Sequence, residues 1–212
     1  MILYTVIICT NSVYSLASLF LPHVFESKNI PGFWVGLVFA MYSIAVVLAS
    51  PFIGKALNRT GFANLIAIGL LTMSISIVPI GFLNQIENGY HTLVIGIILR
   101  ALQGTASASI NTTCYSLAAN KYAENTTFVV GMLEGMSGIG IVTGLFGGSI
   151  VYEAMGYKAV FMTFGLILLI MAIVSRLLFM LIERRSRQRR TLDRDDDFEA
   201  AERANELPLS LE

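Results

Sequence analysis

Charge is scarce in this sequence, and what there is lies in the wrong place for a water-soluble protein. Only twelve formally charged side chains occur in the first 182 residues, while sixteen crowd into the last thirty. The whole chain is 13% charged and 55% hydrophobic, against roughly 25% charged in soluble domains. Its mean hydropathy is +0.72. A cytosolic enzyme would lack the polar surface to cover itself, and a nucleic-acid binder would lack a basic stripe. Cysteine is equally sparse. Cys9 and Cys114 both sit in apolar stretches and form neither a disulfide framework nor a zinc spacing. No metal or cofactor site is expected. No basic region precedes the first apolar segment and no small-x-small cleavage site follows it, which reads as a span rather than a leader.

What is present is a set of long apolar runs. Crossing about 30 Å of hydrocarbon takes roughly 20 helical residues. Six segments suffice: Ile2–Pro22, Phe33–Ile53, Phe62–Leu83, His91–Ala119, Thr127–Val151 and Lys158–Ile182. Short breaks rich in turn residues separate them. Lipid offers no partner to a free backbone N–H or C=O, and barrel-type alternation is missing, so the spans are read as helices. The fold class is an all-α membrane protein of six transmembrane helices over residues 1–182. Residues 183–212, with their Arg run and the acidic stretch from Asp193, form a charged segment expected to be solvated and disordered.

Loop charge sets the expected orientation. Lys55, Arg59, Lys121, Arg184, Arg185, Arg187, Arg189 and Arg190 fall on one side, and only Lys28 and Lys158 on the other. The excess marks the cytosolic side, so both termini are expected there. An endomembrane vesicle and the plasma membrane fit equally.

Ionisable groups inside hydrocarbon are costly and mark candidate sites. Arg176 is close enough to a span end to snorkel. Arg100 and Glu134 are deeper. Measured from opposite faces, Arg100 lies about 14 Å in and Glu134 about 10 Å in, which places them within mutual reach. Either a structural ion pair or a charge site for a cationic solute or a proton follows. Arg100, Gln103, Ser107, Asn111 and Cys114 share one helical face, and Asn11 and Tyr14 belong to a similar stripe on the first span. Interhelical hydrogen bonds or a water-accessible cavity would explain both. Gly131, Gly135, Gly140, Gly144 and Gly148 follow small-xxx-small spacing, which permits close helix contact.

Gly135-Met136-Ser137-Gly138 resembles the nucleophile motif of rhomboid intramembrane proteases. A serine nucleophile needs a neighbouring base, and the sixth span holds no histidine. An enzyme is not expected.

Three further motifs carry a stronger likeness. Gly54-Lys-Ala-Leu-Asn58-Arg59-Thr-Gly61 falls between spans two and three, Arg100-Ala-Leu-Gln103-Gly104 on the fourth, and Gly140-Ile-Val-Thr-Gly144-Leu145-Phe-Gly147-Gly148 on the fifth. In this order they resemble the N-terminal six-helix half (3+3 helices) of a major facilitator superfamily transporter. Leu21-Pro22, Glu26-Ser-Lys28, Gly36-Leu-Val-Phe39, Ser50-Pro51-Phe-Ile-Gly54 and Gly131-Met-Leu-Glu134 are similar to the vesicular amine group, particularly its polyamine branch. The resemblance implies proton-coupled antiport of a small organic cation by alternating access, with residues 183–212 matching the central loop. Gly54, Asn58, Arg59 and Gly61 would hold the cytosolic gate. Glu134, Arg100, Gln103, Asn11, Tyr14, Ser107 and Asn111 would bind substrate or proton. Asn58 replaces the usual Asp of the gate motif and Leu145 the usual Pro of the fifth-helix motif. A second six-helix half or a homodimer mate would supply the opposite wall. A truncated, non-transporting module that binds or regulates a full-length relative is the competing expectation.

Overall fold

The computed structural model describes the backbone of residues 2–206 and the side chains of residues 3–181. Among the described residues the regular structure is entirely helical. The helices are α1 (Ile2–Glu26), α2 (Gly32–Thr60), α3 (Phe62–Ile77), α4 (Gly89–Lys121), α5 (Thr126–Met155) and α6 (Tyr157–Glu206). A 3-10 segment, Val78–Gln85, extends α3, and a short one, Ala123–Asn125, precedes α5. Six of these stretches are long and apolar enough to span a membrane, from Leu3–Glu26 to Tyr157–Leu181. The chain divides into two compact units, Met1–Ser175 and Arg176–Glu212. All packing described below lies within the first. In the second, α6 remains helical to Glu206, through part of the segment expected to be disordered. Its Arg, Glu and Ala content favours helix.

Local chemistry explains where the helices stop. The side chain of Asn88 accepts from Tyr90 N at 3.0 Å and caps α4. Gly61 and Gly156 take φ of +79° and +83°, conformations open to glycine, and turn the chain into α3 and α6. Hydropathy underestimates α2, which continues past Ile53 to Thr60. Polar ends such as Lys55 and Arg59 mark the edge of the hydrocarbon and leave the helix intact.

Each seam is built from small residues and hydroxyls. A Cβ on Gly104 would run into Tyr42 O, so α4 lies directly on the α2 backbone. Gly69 of α3 sits against Ile110 and Ser109, and Ser109 Oγ donates to Leu65 O at 3.0 Å. Gly140, Gly144 and Gly148 of α5 lie against Ile8, Ser12 and Leu16 of α1. Ser12 Oγ reaches Gly140 O at 2.8 Å and Thr143 Oγ1 at 3.0 Å. Ser74 Oγ of α3 donates to Gly165 O of α6 at 2.7 Å. Such contacts suit helices in lipid, where apolar burial gives little drive and backbone approach does the holding. The outward faces of α2 and α5 carry exposed Val47, Phe52, Phe128 and Phe146.

Outside the spans, Lys28 ties two connections together. Its Nζ donates to Leu83 O (2.9 Å), Ile86 O and Thr92 Oγ1 (3.1 Å), covering carbonyls at the end of the 3-10 segment. Burial lowers its pKa from the usual lysine value. Lys28→Met leaves these acceptors without their cation, and we expect a loss of about 2 kcal/mol, read as a lower melting temperature in detergent. An unchanged melting temperature would show that water replaces the ammonium at no cost.

Candidate functional site

Arg100 is fully buried, at 0% exposure, on α4. One guanidinium nitrogen, Nη1, donates to Gln103 Oε1 at 3.2 Å. Its Cζ lies 4.6 Å from the Phe39 ring centre and 5.8 Å from that of Tyr42. Both rings come from α2, because Gly104 lets α2 and α4 touch and Arg100 lies one turn away on the same face.

Further along α4 the polar face continues. Tyr42 OH donates to Ser107 Oγ at 2.8 Å, and Asn111 Nδ2 donates to the same oxygen at 3.1 Å. The Tyr14 ring of α1 is 4.9 Å from that of Tyr42. Asn11 turns its amide to Ile7 O at 2.9 Å. Tyr14, Asn11 and Asn111 are half-buried, whereas Gln103 and Ser107 are buried. One turn beyond Asn111, Tyr115 OH donates to Glu134 Oε1 at 2.6 Å, and Glu134 is exposed.

Arg100 and Glu134 therefore do not form the pair that their depths suggest. Depth from opposite faces of a slab about 30 Å thick brings them level, but α4 has 33 residues and is about 50 Å long. Measured from the shared end, where α4 finishes and α5 starts, Arg100 lies about 31 Å along α4 and Glu134 about 12 Å along α5. Their offset is nearer 19 Å than the several ångströms inferred from depth, by the same rise per residue. Gly131 and Gly135 depart from their packing role as well. A Cβ on either meets nothing within 4 Å, and both line an open groove of about 430 Å³ with Phe128 and Met136. The motif around Gly54 is no loop. Asn58 and Arg59 stand exposed on the last turn of α2, Gly54 is part of the same helix, and Gly61 alone makes the turn. Asn58 does not cap α3, whose N-cap is Gly61.

The sequence assigns no site role to Phe39, which enters only as part of a motif, or to Tyr42 and Tyr115. Tyr115 was detectable: it follows Asn111 by four residues and extends the polar stripe by one turn. The α2 rings gave no such signal, since nothing in α2 itself shows which face meets α4.

The model of the Major Facilitator Superfamily matches residues 3–209, nearly the whole chain. The chain belongs to that superfamily. Its relatives include the MFS-type transporter SLC18B1 of Mus musculus, 28% identical over 128 residues, which are 60% of this chain and 28% of the relative. The Homo sapiens protein of that name is 25% identical over the same shares. The vesicular acetylcholine transporter of Tetronarce californica is 32% identical over 92 residues, 43% of this chain and 16% of the relative. The aligned stretch spans little more than a quarter of the SLC18B1 relatives' length. Membership makes this an integral multi-pass membrane protein of a transporter family, related to vesicular amine transporters. The three motifs fall at the end of α2, on the α2-facing side of α4 and on the α1-facing side of α5.

Proposed function

We propose that this chain forms one wall of a pathway that exchanges a small organic cation, an amine or polyamine, for protons by alternating access. One observation carries the reading. Among the described residues, Glu134 is the only carboxylate in the interior of a spanning helix, and it stands exposed with its Oε1 held by Tyr115. An acid so placed is costly against lipid, so its face is one that meets water, solute or another protein wall. As a carboxylate it attracts a cation, and as a neutral acid it does not, which is the elementary step of exchange. Asn111, Tyr14 and Asn11 are the half-buried groups that offer hydrogen bonds nearby on α4 and α1. Arg100 and Gln103 are sealed behind aromatic rings and take no part in holding a cation. The relative named for acetylcholine handles an organic cation, which supports the same substrate class here.

The remaining parts follow from charge and motif. The positive charge of Lys55, Arg59 and Lys121 on one side supports a reading with both termini in the cytosol. The end of α2 and the Gly61 turn form the cytosolic gate. The opposite wall comes from a second six-helix half or a second copy.

Proteoliposomes with an acidic interior test the proposal. We expect them to accumulate labelled polyamine or monoamine and to lose it on addition of a protonophore. If no protonophore-sensitive uptake occurs, either with the chain alone or with any six-helix half encoded in frame downstream, the proposal is wrong.

A further inference from the structure

The buried guanidinium raises a separate question, independent of the cation reading. Arg100 Nε and Nη2 and Gln103 Nε2 are all shielded from solvent and have no hydrogen-bond partner. Both side chains are at least nine-tenths buried, at 0% and 1% exposure, and they touch each other at 3.2 Å. The unfilled atoms therefore belong to two side chains in direct hydrogen-bond contact. Every one of them is a donor, and a guanidinium has no acceptor to offer. The rings of Phe39 and Tyr42 stabilise part of the positive charge through their faces, but a ring face carries no net charge. Among the described residues, the one carboxylate in the interior of the spans, Glu134, is bonded to Tyr115 well along α4. A buried charge without a counter-charge, next to donors without acceptors, is the costliest arrangement in a protein interior.

We propose that Arg100 and Gln103 form a binding site for a small monovalent inorganic anion of the chloride class, which neutralises the guanidinium inside the membrane. The donor-only character excludes cations and selects a species that only accepts. Phe39 and Tyr42 lie 4.6 and 5.8 Å from the guanidinium carbon and Gln103 Oε1 lies 3.2 Å from Nη1, a crowding that favours a small anion over an organic carboxylate. Phe39 is half-buried, so rotation of its ring is the way in. Position adds a consequence: because the rings belong to α2 and the donors to α4, an anion there bonds to α4 and braces the seam at Gly104.

Thermal melting of the full chain in detergent tests this at constant sodium and ionic strength. Replacing gluconate by chloride should raise the melting temperature by roughly 5 °C at saturation, with bromide acting alike. A bound ion gives a response that saturates. Gln103→Leu keeps the charge, removes one donor and should raise the half-saturating chloride concentration about tenfold. Arg100→Gln should abolish the response, and if that variant does not fold, the wild-type and Gln103→Leu titrations decide alone. Equal melting in chloride and gluconate, a rise that never saturates, or a chloride midpoint unmoved by Gln103→Leu would each overturn the site.

Discussion

Gly144→Val should leave little or no folded protein. A Cβ at Gly144 would occupy the space of Ser12 O, Ser12 Cα and Ser15 Oγ. Two of those three are backbone atoms, which cannot rotate aside. The same seam is pinned at Gly140 and Gly148, so α1 cannot retreat at one point without opening the others. Overpacking a tight interior costs about 1–3 kcal/mol, and a branched side chain against backbone belongs at the top of that range or beyond it. Loss of the Ser12 contacts with Gly140 and Thr143 adds roughly 1 kcal/mol more. Gly131→Ala is the matched control: its Cβ meets nothing, and alanine in a helix is favoured over glycine by about 1 kcal/mol. Size-exclusion profiles and melting curves in detergent read both variants. A Gly144→Val protein that melts with the wild type would mean that α1 and α5 are not joined there.

Those two glycines show how much the sequence could tell. Gly131/Gly135 and Gly140/Gly144/Gly148 share the same four-residue spacing on the same helix. Only the second set meets another helix, because spacing states what could pack closely and leaves open what comes to fill it. The spans were legible for a simpler reason. Hydrophobic length answers directly to the thickness of the bilayer, and no partner is needed to read it. The helix ends were less so, since Arg59 and Lys121 leave the hydrocarbon while the backbone stays helical. Of the candidate site, the α4 stripe was readable from its period, and Ser107 and Asn111 do share a hydrogen bond. The partners of that stripe were not, because Phe39 and Tyr42 are ordinary apolar-span residues until the fold turns them toward α4. Arg100 and Glu134 fail as a pair for a related reason. Depth from a membrane face fixes neither how long a helix is nor which neighbour its side chains meet.

Glu134→Gln should abolish proton-driven amine uptake while leaving the melting curve where it was. The substitution keeps the shape and one acceptor for Tyr115 OH, and it removes the charge. Because Glu134 is exposed in this chain, folding does not depend on it. Coupling does, under the proposed exchange, since a neutral amide neither draws a cation nor gives up a proton. At short range a unit charge changes the attraction for a cation by on the order of a hundredfold, between the limits of water and a protein surface. Uptake under an acid-inside gradient should therefore fall at least that far, to the level of empty vesicles. Glu134→Asp separates charge from position: it retains the carboxylate but is one methylene short of Tyr115. It should keep part of the uptake with weaker apparent affinity, and Tyr115→Phe should resemble it. If Glu134→Gln transports like the wild type, the carboxylate is outside the mechanism, and the cation must be drawn by the half-buried amides and tyrosines of α1 and α4 instead.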